Sequence, residues 1–442
     1  MSKINQLTWS SRLSFILATT GAAVGLGNIW KVPYEFGHHG GGAFVLIYTA
    51  ALLAFGIPMV LSEFVIGLLG KQSPPRSLQT LSLQFNASKK WKYLGYLGLG
   101  TLLLILSFYS VVSGWIIDYI MQLIIHPSQI PDGTTWDSLQ NQPQRLLLGH
   151  GIFIFLTAWV VARGIHRGIE TASKIMLPLL FLLLIIIVCW NTLNPGFSEA
   201  VNFLFKWRAH QVNAQTILSA MGHAFFTLAL GAGCLLMYAS YLPPNSKVGS
   251  SVLCIALLDL TISLLSGLAV YPFIFAAKLP IDQGPKLLFV TLPGVLSLLP
   301  FAWLWMLSFF TLLLFAAWTS SISLAEPIVR WIEESGNYSR TQATFIIALL
   351  AFLIGIPSAL SISHNPWING ADIFTWVTAI TTDYLLPLGG LGFTLFSAWV
   401  IPSKVSKRTL QLPPLLYHLW HFSIRYLAPS TIIIVVINGA LS

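Results

Sequence analysis

The chain has 442 residues, of which 55% are hydrophobic and only 8% are charged, and its formal net charge is +9. A soluble domain carries about a quarter charged residues, so this composition excludes a soluble globular protein and predicts that most of the surface lies in lipid. In a membrane protein such a positive charge indicates basic loops on one side of the bilayer, and we expect no nucleic-acid partner. The polar stretch 1–11 runs directly into an apolar segment, so we expect no cleaved signal peptide.

Apolar segments long enough to cross a bilayer, roughly 20 residues each, recur along the chain. They predict an all-α membrane protein with about eleven transmembrane helices, near residues 13–36, 43–70, 94–124, 146–163, 170–192, 214–241, 248–275, 300–330, 341–361, 372–401 and 414–440. Pro-Gly and Gly-Pro breaks in the connections 193–212 and 279–299 indicate short helices there.

Lysine and arginine are distributed unequally between the two ends of these helices. With the N-terminus inside, seventeen of them fall at cytoplasmic ends and six at outer ends. This bias predicts a cytoplasmic N-terminus and, for an odd number of helices, a C-terminus outside. We therefore expect a multi-pass protein of the cell (inner) membrane, in contact with membrane lipid.

Two of the predicted helices contain residues that are unfavourable in the middle of a membrane helix. The first contains GAAVGLGNIWKVPY at 21–34, and the sixth contains AFFTLALGAG at 224–233. They occupy corresponding positions of two five-helix halves, about 12–192 and 213–401, so we predict a single domain, 1–442, of two inverted repeats with broken helices 1 and 6 and an extra helix at about 414–440. Paired interruptions of this kind indicate the central site of a transporter; close helix packing is the alternative interpretation.

Four motifs carry a family resemblance: GAAVGLGNIWKVPY, GGGAF at 40–44, AFFTLALGAG and WTSSIS at 318–323. In this order they resemble the neurotransmitter:sodium symporter family, in particular its bacterial amino-acid transporters. The resemblance implies a leucine-transporter-like fold and a sodium-coupled symporter that imports amino acids by alternating access. An uncoupled facilitator or channel and an amino-acid sensor of the same fold remain alternatives. We recognise no catalytic motif, so an enzyme is not expected.

The resemblance implies two sodium sites built from oxygen ligands, which a hard monovalent cation prefers. The ligands of the first would be the carbonyls of Ala23 and Thr227, the side chains of Asn28, Thr227 and Asp259, and the substrate carboxylate. The ligands of the second would be the carbonyls of Gly21, Val24 and Ala316 and the hydroxyls of Thr319 and Ser320. Asp259 stands where relatives often have asparagine, so it can supply the negative charge that chloride supplies elsewhere, and we expect that chloride is not required. Proton uptake by Asp259 on the return step is left open.

The resemblance also implies a substrate pocket. The N–H groups of Leu26 and Gly27, beside Gly25, and the Tyr109 hydroxyl would bind the carboxylate. Carbonyl groups would bind the amine, and these belong to Ala23, Phe226, Thr227 and Ala229. The substrate side chain would lie among Ile105, Phe226, Ala232, Ser320 and Leu324. A leucine-selective relative has phenylalanine at the position of Ala232, so we predict large hydrophobic or aromatic substrates, including tryptophan.

Further residues are expected to act in gating or support. Glu63 is an acid within an apolar segment, which indicates function, and the resemblance makes it a brace for unwound backbone; a structural ion pair is the alternative. Lys31 would pair with Asp372 on the outer side, and Trp9 and Tyr241 would close the inner side. Glu334 has no identified partner, because Gln6 stands where relatives often carry arginine. Gly168 and Pro178 would let helix five open toward the second sodium site, unless Pro178 is a tolerated kink.

Overall fold

The computed structural model describes residues 8–128, 131, 133–208, 212–243, 246–279, 286–362 and 372–441, and every regular element within these ranges is helical. The first nine helices are α1 (Arg12–Ala23), α2 (Gly27–His38), α3 (Gly42–Gly70), α4 (Pro74–Gln84), α5 (Lys89–Ile125), α6 (Gly133–Gln140), α7 (Pro143–Ala162), α8 (Ile165–Asn191) and α9 (Phe197–Phe205). The other nine are α10 (Ala214–Thr227), α11 (Cys234–Ser240), α12 (Val248–Ala277), α13 (Leu287–Leu296), α14 (Ala302–Glu334), α15 (Arg340–Ser361), α16 (Ile373–Val400), α17 (Ser403–Leu410) and α18 (Pro414–Asn438).

Eight helices of the described part are long and apolar enough to cross a membrane, namely α3, α5, α7, α8, α12, α14, α15 and α18. Two bent pairs, α1 with α2 and α16 with α17, pass the same test together. Helices α10 and α11 are separated by residues 228–233 and form a further broken segment. The prediction of an all-α membrane protein is confirmed, and these segments are consistent with eleven spans.

The helix bounds differ most from the predicted ones at α5, α8 and α14, and α5 begins at Lys89 rather than near residue 94 because a 3₁₀ turn at Lys89–Trp91 precedes its α-helical part. Helix α8 begins at Ile165 rather than near residue 170, because a π-helical turn follows Gly164, whose φ is +83°. Helix α14 continues to Glu334 rather than to about 330, and Arg330 pairs with Glu334 at 3.2 Å in this polar last turn. Helices α9 and α13 confirm the short helices predicted in 193–212 and 279–299.

Helix α8 has one face of exposed apolar side chains. Only 39% of the most apolar stretch of this helix is buried. Large exposed side chains recur along it at helical spacing, namely Ile175, Leu179, Leu182, Ile185 and Ile186. A contiguous apolar stripe of this size is unfavourable in water. This face of α8 therefore suits the hydrocarbon core of a bilayer.

The first break separates α1 from α2 and bends the chain by 56°. Val24 adopts an extended conformation, with φ −76° and ψ 108°. The Asn28 side chain stabilises the break, because its Oδ1 accepts the N–H of Gly25 at 3.0 Å. Because the chain leaves helical geometry here, carbonyl groups at the end of α1 and N–H groups at the start of α2 have no partner within a helix.

The second break separates α10 from α11 and contains three residues with positive φ, at Ala229, Gly231 and Gly233. Glu63 on α3 holds this segment: Oε1 accepts the N–H of Gly231 at 2.7 Å, and Oε2 accepts the N–H of Leu236 at 3.3 Å. A Cβ atom at position 231 would also collide with the backbone carbonyl of a helix α16 residue. Glycine is therefore required there by both conformation and space.

Candidate functional site

A cavity of about 430 Å³ lies between the two breaks, and side chains of α5, α14 and α16 complete its walls. Its size is within the range of small-molecule sites. The structure brings all twelve residues predicted to bind substrate to this cavity: Ala23, Gly25, Leu26, Gly27, Ile105, Tyr109, Phe226, Thr227, Ala229, Ala232, Ser320 and Leu324.

The polar end of the cavity is formed where the first break meets Tyr109. The N–H of Leu26 donates to the Tyr109 hydroxyl at 3.1 Å. A Cβ atom at Gly25 would lie 2.8 Å from Ser320 Oγ and 2.9 Å from the Tyr109 hydroxyl, so only glycine allows this approach. N–H groups at the start of a helix, together with a hydroxyl donor, form an environment that favours a carboxylate.

The opposite end of the cavity is apolar. Its walls include Ile105, Phe108, Val112 and Leu324, and Ala232 lines it from the second break. The small Ala232 side chain leaves this end wider than a large side chain would. The cavity therefore combines a polar end with an apolar end, which suits a molecule that has one charged and one hydrophobic part.

An oxygen cluster adjoins the polar end and is centred on Asn28. Asn28 Nδ2 lies 2.8 Å from Asp259 Oδ1 and 3.1 Å from both Thr227 Oγ1 and Ser263 Oγ. Thr227 donates to the two Asp259 oxygens at 2.9 and 3.1 Å, and the Tyr48 hydroxyl donates to Oδ2 at 3.0 Å. Rotation of the side-chain amide by 180° exchanges the positions of Nδ2 and Oδ1. Asn28 can therefore also present an oxygen to this cluster. The donor set fits a monovalent cation, since it is rich in oxygen and carries one negative charge.

A second oxygen cluster joins the end of α1 to α14. The Ser320 hydroxyl donates to the carbonyls of Gly21 and Val24 at 3.1 and 3.0 Å. The Thr319 hydroxyl lies within hydrogen-bond distance of two carbonyls of its own helix, that of Phe315 at 2.9 Å and that of Ala316 at 3.2 Å. The five residues predicted as the second sodium site therefore lie together, and their oxygens are neutral.

On one side of the cavity, Lys31 lies over Phe226, with Nζ 4.6 Å from the ring centroid. Its predicted partner Asp372 instead caps the start of α16 and accepts the N–H of Thr375 at 2.6 Å. Asp383, further along α16, lines with Lys31 a smaller cavity of about 120 Å³ behind Phe226. Asp383 therefore shares a cavity with Lys31, whereas Asp372 lines neither of the two cavities.

On the other side, Trp9 joins α11 to the segment before α1. Its Nε1–H donates to the Tyr238 carbonyl at 2.8 Å, and its backbone N–H donates to the Tyr241 carbonyl at 3.0 Å. The Tyr241 hydroxyl donates to Glu326 at 2.6 Å, and Glu326 pairs with Arg340. Trp9 and Glu326 are buried, so this network closes the bundle beneath the cavity.

Glu334 has partners that the sequence did not reveal. It pairs with Arg330 at 3.2 Å and with Arg76 at 3.6 Å, and it accepts the backbone N–H of Ser73 at 3.0 Å. Gln6, at the position where an arginine partner was sought, lies outside the described residues.

Gly168 and Pro178 both lie within α8. Gly168 belongs to the π-helical turn Ile165–Glu170, and Pro178 lies inside the α-helical part. The segment is helical at both positions in this structure, so the local opening of helix five stays a prediction.

Three residues of this region were missed by the sequence reasoning. Glu326 and Asp383 are acids within apolar segments, and the criterion applied to Glu63 would have found both. Tyr48 gave no signal, because a tyrosine in an apolar segment usually only packs. Its bond to Asp259 depends on the tertiary structure.

Comparison with known proteins agrees with this geometry. The sequence model of the Sodium:neurotransmitter symporter family matches residues 6–141 and 146–442. The chain is 35% identical to the uncharacterized sodium-dependent transporter YhdH of Bacillus subtilis, over 99% of this chain and 98% of that protein, and 32% identical to an uncharacterized sodium-dependent transporter of Haemophilus influenzae, over 98% of each. Its fold is similar to the crystal structure of MhsT in complex with L-phenylalanine, with a TM-score of 0.89, 35% identity, and 98% and 99% of the two chains covered. The chain therefore belongs to the sodium:neurotransmitter symporter family.

Proposed function

We propose that this protein is a sodium-coupled symporter that imports hydrophobic or aromatic amino acids by alternating access. The observation that carries the proposal is the convergence of the first break, Tyr109 and the Asn28–Thr227–Asp259 cluster on one cavity. L-phenylalanine in the similar MhsT structure supports a hydrophobic substrate.

The amino acid would lie with its charged groups at the polar end of the cavity. The N–H groups of Leu26 and Gly27 and the Tyr109 hydroxyl are the donors for its carboxylate. Carbonyl groups of the two breaks, at Ala23 and Phe226 among others, are the acceptors for its amine. The substrate side chain would fill the apolar end, where burial of apolar area contributes about 25 cal/mol per Å².

Binding of sodium would be coupled to binding of the substrate by the attraction between the ion and the substrate carboxylate. The first ion would lie between Asp259 and the substrate carboxylate, with Asn28, Thr227 and the Ala23 carbonyl as further ligands. A buried charge costs several kcal/mol unless it is compensated, so the ion and the carboxylate stabilise each other's binding. The second ion, at Gly21, Val24, Ala316, Thr319 and Ser320, would fix α1 against α14.

Chloride would not be required, because Asp259 already supplies a fixed negative charge within the first cluster. It is fully buried and receives hydrogen bonds from Asn28, Thr227 and Tyr48. Ser263, one turn further on α12, is neutral and donates or accepts only a hydrogen bond.

We further propose that the N-terminus is cytoplasmic and the C-terminus outside, in the cell (inner) membrane. The network of Trp9, Tyr241, Glu326 and Arg340 would then be the inner gate, and Lys31 with Asp383 would lie on the outer side. Repeats at about 12–192 and 213–401 would move relative to each other so that the two sides open alternately.

Uptake by purified protein in proteoliposomes tests the proposal. A panel of labelled amino acids is offered with an inward sodium gradient, with equal sodium on both sides, and with potassium in place of sodium. We expect accumulation above the external concentration only with the gradient, and strongest for large hydrophobic substrates. Equilibration without accumulation would identify an uncoupled facilitator, and binding without uptake would identify a sensor.

A further inference from the structure

Helix α17 has a basic face that none of the described residues covers. It follows α16 after a bend of 109°, and its Ser406 and Leu410 are buried against the bundle. Lys404, Lys407 and Arg408 are exposed, and their spacing of three and four residues places them on one side of the helix. Helix α17 therefore lies across one end of the bundle as an amphipathic helix, which is typical of a membrane interface.

Contacts with α18 hold α17 in place. The Tyr417 hydroxyl donates to the Ser403 carbonyl at 2.8 Å and lies 2.9 Å from Ser406 Oγ, with which it shares a hydrogen bond. Lys407 Nζ lies 5.9 Å from the centroid of the Tyr417 ring. The cations of α17 are thus fixed beside the first turns of α18.

Arg425 adds a fourth cation from within α18. It lies four residues after His421, whose Nε2 is 3.4 Å from Ser403 Oγ of α17, so it follows the part of α18 that contacts α17 by one helical turn. Its Cζ atom is 4.0 Å from the centroid of the Trp399 ring, and its Nε is buried without a hydrogen-bond partner among the described residues. An arginine inside an apolar helix is costly and indicates function, and its long side chain can reach toward the interface.

No ion pair among the described residues compensates these four cations. The sequence contains no aspartate or glutamate after Asp383. Within the described ranges, Lys404, Lys407, Arg408 and Arg425 take part in none of the ion pairs. The described residues therefore supply no carboxylate within ion-pair distance, which leaves this surface open to an anion from outside the chain.

Apolar side chains flank the cations on the lipid side. Leu415, Leu419 and Phe422 of α18 are exposed, as is Trp399 in the last turn of α16. Tryptophan is frequent at membrane interfaces, and basic pockets between helix ends bind lipid headgroups. The combination of cations with adjoining apolar surface fits a phospholipid better than a soluble anion, which would use only the cations.

We propose that Lys404, Lys407, Arg408 and Arg425 bind the headgroup of an anionic phospholipid, whose acyl chains lie along α18. Under the orientation proposed above, the lipid belongs to the cytoplasmic leaflet. The proposal depends on insertion in a membrane and not on sodium coupling or on the identity of the substrate.

Native mass spectrometry of the full-length protein, released from a mixture of phosphatidylglycerol and phosphatidylcholine, tests the proposal. The decisive variant replaces Lys404, Lys407 and Arg408 by glutamine, and Arg425→Gln is measured separately. The matched control replaces Lys89, Lys90 and Lys92 by glutamine, which removes three cations near the start of α5. All variants are first checked for a monodisperse peak in size-exclusion chromatography.

We expect the parent and the control to retain phosphatidylglycerol equally. Each cation that is removed from the proposed site should weaken retention about fivefold, and the triple variant on the order of 100-fold, while retention of phosphatidylcholine does not change. Equal retention of phosphatidylglycerol by the triple variant and the parent would overturn the proposal, as would an equal loss in the Lys89–Lys92 control. Because this readout needs no transport, failure of sodium-driven uptake would leave it intact and would count only against the proposed function.

Discussion

Asn28 and Asp259 are 231 residues apart in the chain, yet Asn28 Nδ2 lies 2.8 Å from Asp259 Oδ1. Both side chains are buried. Thr227, the last residue of α10, bonds to both of them. This contact therefore ties α12 to the two breaks at once, and a change of charge at Asp259 should affect both the first proposed sodium site and the polar end of the cavity.

The first prediction concerns Asp259 and chloride. Uptake by the parent should be unchanged when gluconate replaces chloride, because the carboxylate balances the charge of sodium. Asp259→Asn removes that charge, so the variant should be inactive or should require chloride. The measurement is uptake of labelled substrate into proteoliposomes, by the parent and by the variant, in chloride and in gluconate.

The double variant Asp259→Asn/Ser263→Ala is the control for that experiment. If Asp259→Asn gains a chloride requirement, the neighbouring Ser263 hydroxyl should help to bind the ion, and the double variant should lose activity in both anions. A parent that stops transporting in gluconate would contradict the role given to Asp259.

The second prediction concerns the hydroxyls of the second oxygen cluster. Thr319→Ala with Ser320→Ala removes both side-chain ligands but leaves the carbonyls of Gly21 and Val24 in place. Sodium-driven uptake should be lost, while the thermal unfolding temperature of the detergent-purified protein should change little, since each hydrogen bond contributes only about 1 kcal/mol.

Ser107→Ala with Ser110→Ala is the matched control, because these two buried hydroxyls of α5 bond to carbonyls of their own helix. It should keep its sodium dependence. If the Thr319/Ser320 variant keeps the sodium dependence of the parent, those residues do not form a sodium site.

The long apolar helices could be predicted from the sequence, because a span of about 20 apolar residues is a local property of the chain. Helix α12, for example, was expected at 248–275 and is found at Val248–Ala277. The short helices α4 and α17 were not predicted. Their sequences are polar enough to resemble loops, and α17 is held in place by contacts with Tyr417 rather than by its own apolar length.

The location of the candidate site was also predictable, since glycine-rich interruptions mark it directly in the sequence. The side-chain partners were not, because they depend on how distant helices meet. Asp372 illustrates this: its distance along the chain from Lys31 contains no information on which side chain of α16 comes near that lysine. Asp383, and not Asp372, lines the small cavity that Lys31 also lines.

The third prediction concerns the network under the cavity. Glu326 is fully buried and pairs with Arg340, which also lies 3.2 Å from Glu333. Arg340→Gln leaves a buried carboxylate without its cation, which costs about 3–5 kcal/mol, so the closed arrangement should be destabilised relative to one that admits water. A cysteine introduced at Ser320 should then react faster than in the parent background with a membrane-impermeant thiol reagent. The reagent is applied from the side of the membrane on which Trp9 lies.

Arg330→Gln is the control, because Arg330 pairs with Glu334 at 3.2 Å and with Glu333 at 4.0 Å but forms no ion pair with the buried Glu326. Its effect on the labelling rate should be small. Equal labelling rates in the parent and in Arg340→Gln would show that the Glu326–Arg340 pair does not hold this side closed.

The last prediction concerns substrate size. Ala232 lines the apolar end of the cavity from the second break and is 2% exposed. Ala232→Phe adds a ring to this end, and filling a packed site costs about 1–3 kcal/mol, so uptake of tryptophan should fall about 5- to 150-fold relative to that of a small amino acid such as alanine. Leu324→Ala, which enlarges the same cavity, is the reciprocal variant and should favour tryptophan over small substrates. Competition between labelled tryptophan and unlabelled alanine in proteoliposomes measures the preference of each variant. If Ala232→Phe transports tryptophan as well as the parent does, the substrate side chain does not lie beside Ala232 and the orientation proposed for the amino acid is wrong.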